Sequence, residues 1–218
     1  MIFTKSTPDS TVFYVLRHGE TEWNLQGRIQ GHLDSPLTQL GEKQARAVGE
    51  AFAGCGASMI LCSDLARAVR TAEIIAGFVH APVASDHRLR ERNLGVMEGL
   101  TMKEFSRQFS EDYAQFSSGN PEASVTGGES IRERYDRSIG CFDDIARHHK
   151  GKEIIVVTHG GVLDSVFRHS VGLPLTQKRR FTLYNGSINT IEISNGVWRM
   201  INWGYTDHLA ALETLDDS

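Results

Sequence analysis

Three cysteines, five prolines and no long apolar run mark what this chain of 218 residues does without. Cys55, Cys62 and Cys141 are unevenly spaced and form no CxxC pair, so neither a disulfide framework nor a zinc site is indicated. No apolar stretch approaches the roughly 20 residues needed to span a bilayer. Ser6, Thr7, Pro8, Asp9 and Ser10 interrupt the N-terminal segment, which therefore does not read as a secretory signal. A basic excess is missing too: 23 Lys and Arg against 27 Asp and Glu leave a formal charge of −4, which argues against a nucleic-acid-binding surface. Neither an internal repeat nor a Pro- or Ser-rich linker appears. These absences lead us to expect one domain over residues 1–218 in a reduced, cytoplasmic setting, without nucleic acid or membrane as partner.

What is present is a recurring pattern of apolar runs that end in polar residues. Thr11, Val12, Phe13, Tyr14, Val15 and Leu16 read as a buried strand, because β-branched and aromatic residues run together with no helical stripe. That run gives way to Arg17, His18 and Gly19. Met59–Cys62 gives way to Ser63, Asp64, Leu65, Ala66 and Arg67, and Ile154–Val157 to Thr158, His159, Gly160 and Gly161. Ligands of open α/β sheets bind at the carboxyl ends of the strands. If the three strands are parallel neighbours, Arg17, His18, Arg67 and His159 meet at one sheet edge.

The remaining chain alternates helices and strands, the pattern of an α/β three-layer sandwich with a mainly parallel sheet. Residues 22–36 have no periodicity and are expected to be loop. Thr38 is placed to cap a helix through Phe52, and Ser63 or Asp64 a second one carrying Arg67 in its first turn. There an arginine is unfavourable unless an anion lies beside it. Thr101 with Glu104 and Ser130 with Glu133 form capping boxes. Between them Phe105, Phe109, Tyr113 and Phe116 mark residues 100–128 as an insertion, expected to act as a lid or substrate selector. Past Pro174, strands are expected over Arg180–Tyr184, Ile188–Ser194 and Val197–Trp203, with a hairpin turn at Asn195–Gly196 and a mobile tail from Thr206. An exposed terminal hairpin edge makes a homodimer conceivable.

Two guanidinium groups and two imidazoles around one space suit a doubly charged anion. Arginine forks stabilise the oxygens of a phosphoryl group in transfer, and neutral imidazole can attack phosphorus to give a phosphoenzyme. Amides at Gly160 and Gly161, opening a helix, would add an anion-binding element. The leaving oxygen needs a proton, and a positioned carboxylic acid contributes about 10²- to 10⁴-fold. From the residues alone, Glu91 is explained as well by surface pairing with Arg88 or Arg92 as by that role. The other histidines carry no recognisable partner, and Lys178, Arg179 and Arg180 read as a solvated lead into a strand.

Position by position, Arg17-His18-Gly19-Glu20-Thr21 with Trp23 and Asn24 resembles the signature of the histidine phosphatase superfamily, the phosphoglycerate mutase-like group. Asp34-Ser35-Pro36-Leu37-Thr38, Ser63-Asp64-Leu65 with Arg67, Leu89-Arg90-Glu91, Gly127-Gly128-Glu129-Ser130 and Thr158-His159-Gly160-Gly161 extend the likeness over residues 17–161. The resemblance implies that His18 is the phosphorylated nucleophile, with Arg17, Arg67 and His159 forming the phosphate pocket. It implies further phosphate contact from Asn24 and Gly160, and proton donation by Glu91. No metal or other cofactor is implied. Gln30, beside Gly31 on the substrate side, departs from the small hydroxyl residue usual in the mutases. The larger mutases also have a long basic insertion after the general acid, whereas here only Lys103 and Arg107 are basic between Glu98 and Asn120. A phosphatase acting on a small phosphorylated metabolite is therefore expected. The alternatives are a phosphoglycerate mutase, an isomerase needing a bisphosphoglycerate primer, and a catalytically idle phosphoprotein-binding module.

Overall fold

The structure is a computed structural model and describes residues 3–212. Its centre is β1 (Ser10–Arg17), buried along its whole length. Because side chains alternate across a strand, Val12, Tyr14 and Leu16 face one layer, while Phe13 and Val15 face the other. A strand covered on both faces reads as a continuous apolar run, which is why its periodicity is invisible in the sequence. β2 (Met59–Cys62), β3 (Val83–Ser85) and β4 (Glu153–Thr158) run parallel to it. β5 (Ile188–Ser194) and β6 (Val197–Tyr205) are antiparallel, giving one six-stranded sheet in the order β3-β2-β4-β1-β5-β6. The fold is mixed α/β, as expected.

Helices α2 (Gln39–Ala51) and α3 (Ala66–Val79) supply Val48, Ala68, Ala72 and Ile75 to one layer of core. On the other face α6 (Ile131–His148) and α7 (Gly160–Val171) bring Phe142, Ile145, Leu163 and Val166 against Phe13 and Val156. Both capping boxes form as the spacing predicts, on α4 (Met102–Gln108) and on α6. With α5 (Ser110–Ser117), α4 gathers Phe105, Met97 and Val125 into a small separate core, so Phe105 serves packing. Asn195 and Gly196 both take positive φ, 50° and 78°, the combination a two-residue primed hairpin turn requires.

Several expectations need correction. Residues 22–36 are not all loop: Thr21 and Asn24 form a capping box that starts α1 (Glu22–Leu25). Helix α3 is capped by neither Ser63 nor Asp64, whose carboxylate instead binds Arg90 at 2.6 Å. Arg180–Tyr184 is not a strand: its Leu183 carbonyl accepts from the Arg17 guanidinium in place of a ladder amide. Its alternating apolar residues pack from a loop, Leu183 into the core and Phe181 stacked on Phe167. The tail is fixed at least to Leu212: Leu209 is fully buried, and the His208 ring meets the Gly186 carbonyl at 3.0 Å. Glu213, Asp216, Asp217 and Ser218 lie outside the described residues. No helix among the described residues is long and apolar enough to cross a membrane.

Candidate active site

Parallel pairing sets Arg17 opposite Thr158 and Cys62 opposite Val157, so the three strands end level. The turns leaving their carboxyl ends therefore converge. The rings of His18 and His159 lie 5.1 Å apart, and His18, Arg17 and Arg67 line one cleft of about 540 Å³. The turn after β1 is possible only without side chains: a Cβ on Gly19 would sit 2.4 Å from the Gly41 carbonyl oxygen, where α2 begins.

His18 is held on three sides. Its backbone N–H donates to the Thr158 carbonyl at 2.9 Å, and its own carbonyl accepts from Asn185 Nδ2 at 2.8 Å. His18 Nδ1 lies 2.8 Å from the Gly19 carbonyl, which can only accept, so that nitrogen carries the proton and Nε2 keeps its lone pair. Burial, and then the positive charges of Arg67 and Arg17, push the His18 pKa well below the usual imidazole value. The ring is therefore neutral at neutral pH. Burial, Arg67 and then His18 and Arg17 act the same way on His159, whose two ring nitrogens have no partner among the described residues. Both nitrogens of this fully buried ring are thus left unsatisfied by the described residues.

The anion that Arg67 requires in the first turn of α3 comes from Asp34. One carboxylate oxygen accepts Arg67 Nη1 at 2.6 Å, and the other accepts the Ala66 N–H at 2.8 Å, so Asp34 caps the helix as well. Nη2 donates to the Gly31 carbonyl at 2.7 Å, while the buried Nε has no partner among the described residues. Arg17 is anchored by Nη1 donating to the Leu183 carbonyl. Glu91 is no surface ion pair: Arg88 pairs with Asp86 and Asp144, and Glu91 lines the cleft. Its two carboxylate oxygens accept the Arg92 N–H at 2.7 Å and the Gly161 N–H at 2.8 Å. The Gly161 amide is thus occupied by Glu91 and does not form an anion site with Gly160, which does line the cleft.

Asn24, Gln30 and Gly31 also line the cleft. Asn24 Oδ1 accepts from Thr21, and Gln30 Nε2 donates to Thr21 Oγ1 at 2.8 Å, tying both amides to the start of α1. Sequence reasoning missed several contributors. His32 is not partnerless, since its Nε2 meets the Glu91 carbonyl at 2.9 Å. Arg179, read as a solvated lead into a strand, lines the cleft, as do Trp23, Leu94 and Phe116. Trp23 stands inside the signature and could have been found there; Arg179 had no local signal. Among the described residues no group of three or more His, Cys, Asp or Glu is placed to hold a metal ion.

An α/β sheet whose carboxyl edge sets Arg17, His18 and Arg67 in one cleft, with the fully buried His159 ring 5.1 Å from that of His18 but not itself lining the cleft, has the arrangement expected of phosphoryl-transfer enzymes. A family model described as the histidine phosphatase superfamily, branch 1, matches residues 13–206, and the chain belongs to that family. A probable phosphoglycerate mutase, GpmB, of Salmonella paratyphi C is 37% identical over 203 residues, covering 91% of this chain and 94% of its own. The solved structure of Bacillus stearothermophilus YhfR superposes with a TM-score of 0.85 at 31% identity, over 91% of this chain and 99% of that one. A phosphoserine phosphatase from Entamoeba histolytica, solved with phosphoserine, gives 0.81 at 30% identity over 91% and 99%. Neighbours in this family thus act on small phosphorylated metabolites.

Proposed function

We propose that this chain is a metal-independent phosphatase that hydrolyses a small phosphomonoester through a phosphohistidine at His18. The single observation that carries the reading is the His18 ring, proton directed to the Gly19 carbonyl and Nε2 left free, beside an unpartnered buried His159 and the unpartnered Nε of Arg67. His18 Nε2 attacks phosphorus as the P–O bond to the alcohol breaks. Glu91, in its acid form, gives its proton to the departing oxygen. Arg17, Arg67, His159 and the Asn24 amide hold the phosphoryl oxygens, supplying from fixed guanidinium groups the charge neutralisation that other phosphoryl-transfer sites take from magnesium. Glu91, now a carboxylate, removes a proton from water. The water oxygen then displaces Nε2 at phosphorus, which releases phosphate and restores the neutral ring.

A mutase reading draws on the naming of the Salmonella relative. It requires the phosphohistidine to be kept from water by the insertion after Glu91. Residues 100–128 contribute only Phe116 to the cleft, and neither Lys103 nor Arg107 reaches it, which favours hydrolysis. The deciding experiment scores phosphate release from a panel of phosphomonoesters in chelator, with His18→Ala alongside. Hydrolysis of at least one ester, abolished in the variant, is expected. Exchange between phosphoglycerate positions that depends on a bisphosphorylated primer, without net release, would reverse the assignment.

A further inference from the structure

Phosphoryl transfer at His18 leaves two arginines of the cleft unused, Arg28 and Arg179. Arg179 stands on the loop between α7 and β5, is exposed, and lines the same cleft as His18 and Glu91. Its neighbours Lys178 and Arg180 do not line it, so the basic run is not uniformly a solvated face. Every other arginine of the cleft is engaged: Arg17 by the Leu183 carbonyl, Arg67 by Asp34, and Arg28 by the Gly99 carbonyl at 2.8 Å and Glu104 at 3.2 Å. Among the described residues the Arg179 side chain makes no ion pair or hydrogen bond. The lining of the cleft includes the apolar side chains of Trp23, Ile29, Leu94 and Phe116 beside the polar Asn24, Arg28 and Gln30. At about 540 Å³ the cleft has room for far more than a phosphoryl group.

We infer that Arg179 recognises a carboxylate at the far end of the substrate's alcohol portion, with an apolar or aromatic stretch between that carboxylate and the phosphate. The inference rests on the phosphatase reading and names the substrate class of that site. An uncommitted guanidinium fork matches a carboxylate with two parallel bonds, and the apolar side chains of the lining favour a spacer that has no hydrogen-bonding demands of its own. The insertion after Glu91 brings no basic side chain to the cleft, so the second positive charge comes from the opposite end of the chain. Being exposed, the contact is screened by salt and acts on substrate capture more than on the chemical step.

The test compares two esters of equal size and leaving ability: 4-(2-carboxyethyl)phenyl phosphate and the corresponding carboxamide. The wild-type enzyme is expected to prefer the acid by about five- to tenfold in kcat/KM, through KM, with the preference shrinking as salt rises. Arg179→Ala should bring the ratio close to one, and Arg179→Lys should keep part of it. A wild-type ratio of one, or a preference that survives in Arg179→Ala, overturns the inference alone. No phosphate from either ester or from the wider panel would sink the phosphatase reading and this inference with it.

Discussion

Asp34 and Arg67 are joined twice: the carboxylate pairs with the guanidinium at 2.6 Å and also caps the helix on which that arginine stands, through the Ala66 N–H at 2.8 Å. The residue that orients the Arg67 guanidinium is therefore also the one that caps α3. Both jobs need an acceptor, one on each oxygen. Asn cannot serve both, because one of its two terminal atoms is a donor.

Replacing Asp34 with Ala or Asn should consequently have similar effects. We expect a loss of about 1–3 kcal/mol, below the full figure for a broken buried pair because the Asp34 side chain is 28% exposed while that of Arg67 is 1%. KM for phosphomonoesters and the inhibition constant for inorganic phosphate should both rise. Urea unfolding and product-inhibition assays measure the two effects. An Asn variant with wild-type stability and phosphate affinity would show that the pairing does not orient Arg67.

Gly161 is required by Glu91 and not by the backbone. A Cβ there would lie 2.0 Å from Glu91 Oε1 and 2.8 Å from Arg134 Nη1, so Gly161→Ala must push the carboxylate away. Loss of a general acid costs about 10²- to 10⁴-fold, most where the leaving alcohol is poor. The variant should therefore fall further on an alkyl phosphate than on 4-nitrophenyl phosphate, whose phenolate leaves without a proton. Equal losses on both esters would assign Gly161 a role in phosphate binding instead.

How much of the fold and site was legible in the sequence depended on whether the cause was local. The ends of β1, β2 and β4 could be read because each apolar run stops abruptly at polar residues, and Thr101 and Ser130 because a capping box is a four-residue pattern. Asp34 as the cap of α3 was not legible, since its partner amide is 32 positions away. The strand expected over Arg180–Tyr184 failed for a related reason. Phe181 and Leu183 alternate like strand residues, but the Leu183 carbonyl is taken by Arg17 from the other end of the chain, and only the fold reveals that. Arg179, carried on the same loop, was invisible with it.

His18 and His159 oppose stability and activity as pH falls. Both are held neutral by burial and by Arg67, well below their usual pKa. In the unfolded chain each would take up a proton near the ordinary imidazole value of about 6.5. Below that pH the unfolded state binds more protons than the native one, so stability is full above it and declines as pH drops toward the folded-state values. His18 meanwhile remains an unprotonated nucleophile. Between about pH 7 and 5, melting temperature should fall while single-turnover phosphorylation of His18 shows no loss at about 6.5. A phosphorylation rate that halves near about 6.5 would mean the ring titrates normally.

Asn185 reaches His18 from the far end of the chain. Its Nδ2 donates to the His18 carbonyl at 2.8 Å, and the next residue, Gly186, donates its N–H to the Arg17 carbonyl at 3.1 Å. Asn185 is 2% exposed, so Asn185→Leu leaves a buried carbonyl without a donor, at a cost of about 1–3 kcal/mol. The His18 backbone then loses one of its two fixed ends, and a small displacement of a nucleophile from its line of attack lowers the rate by about 10- to 100-fold. The loss should fall on kcat and on the rate of phosphohistidine formation, with KM little changed, because Asn185 does not line the cleft. Stability lost without any change in that rate would make the bond a feature of packing alone.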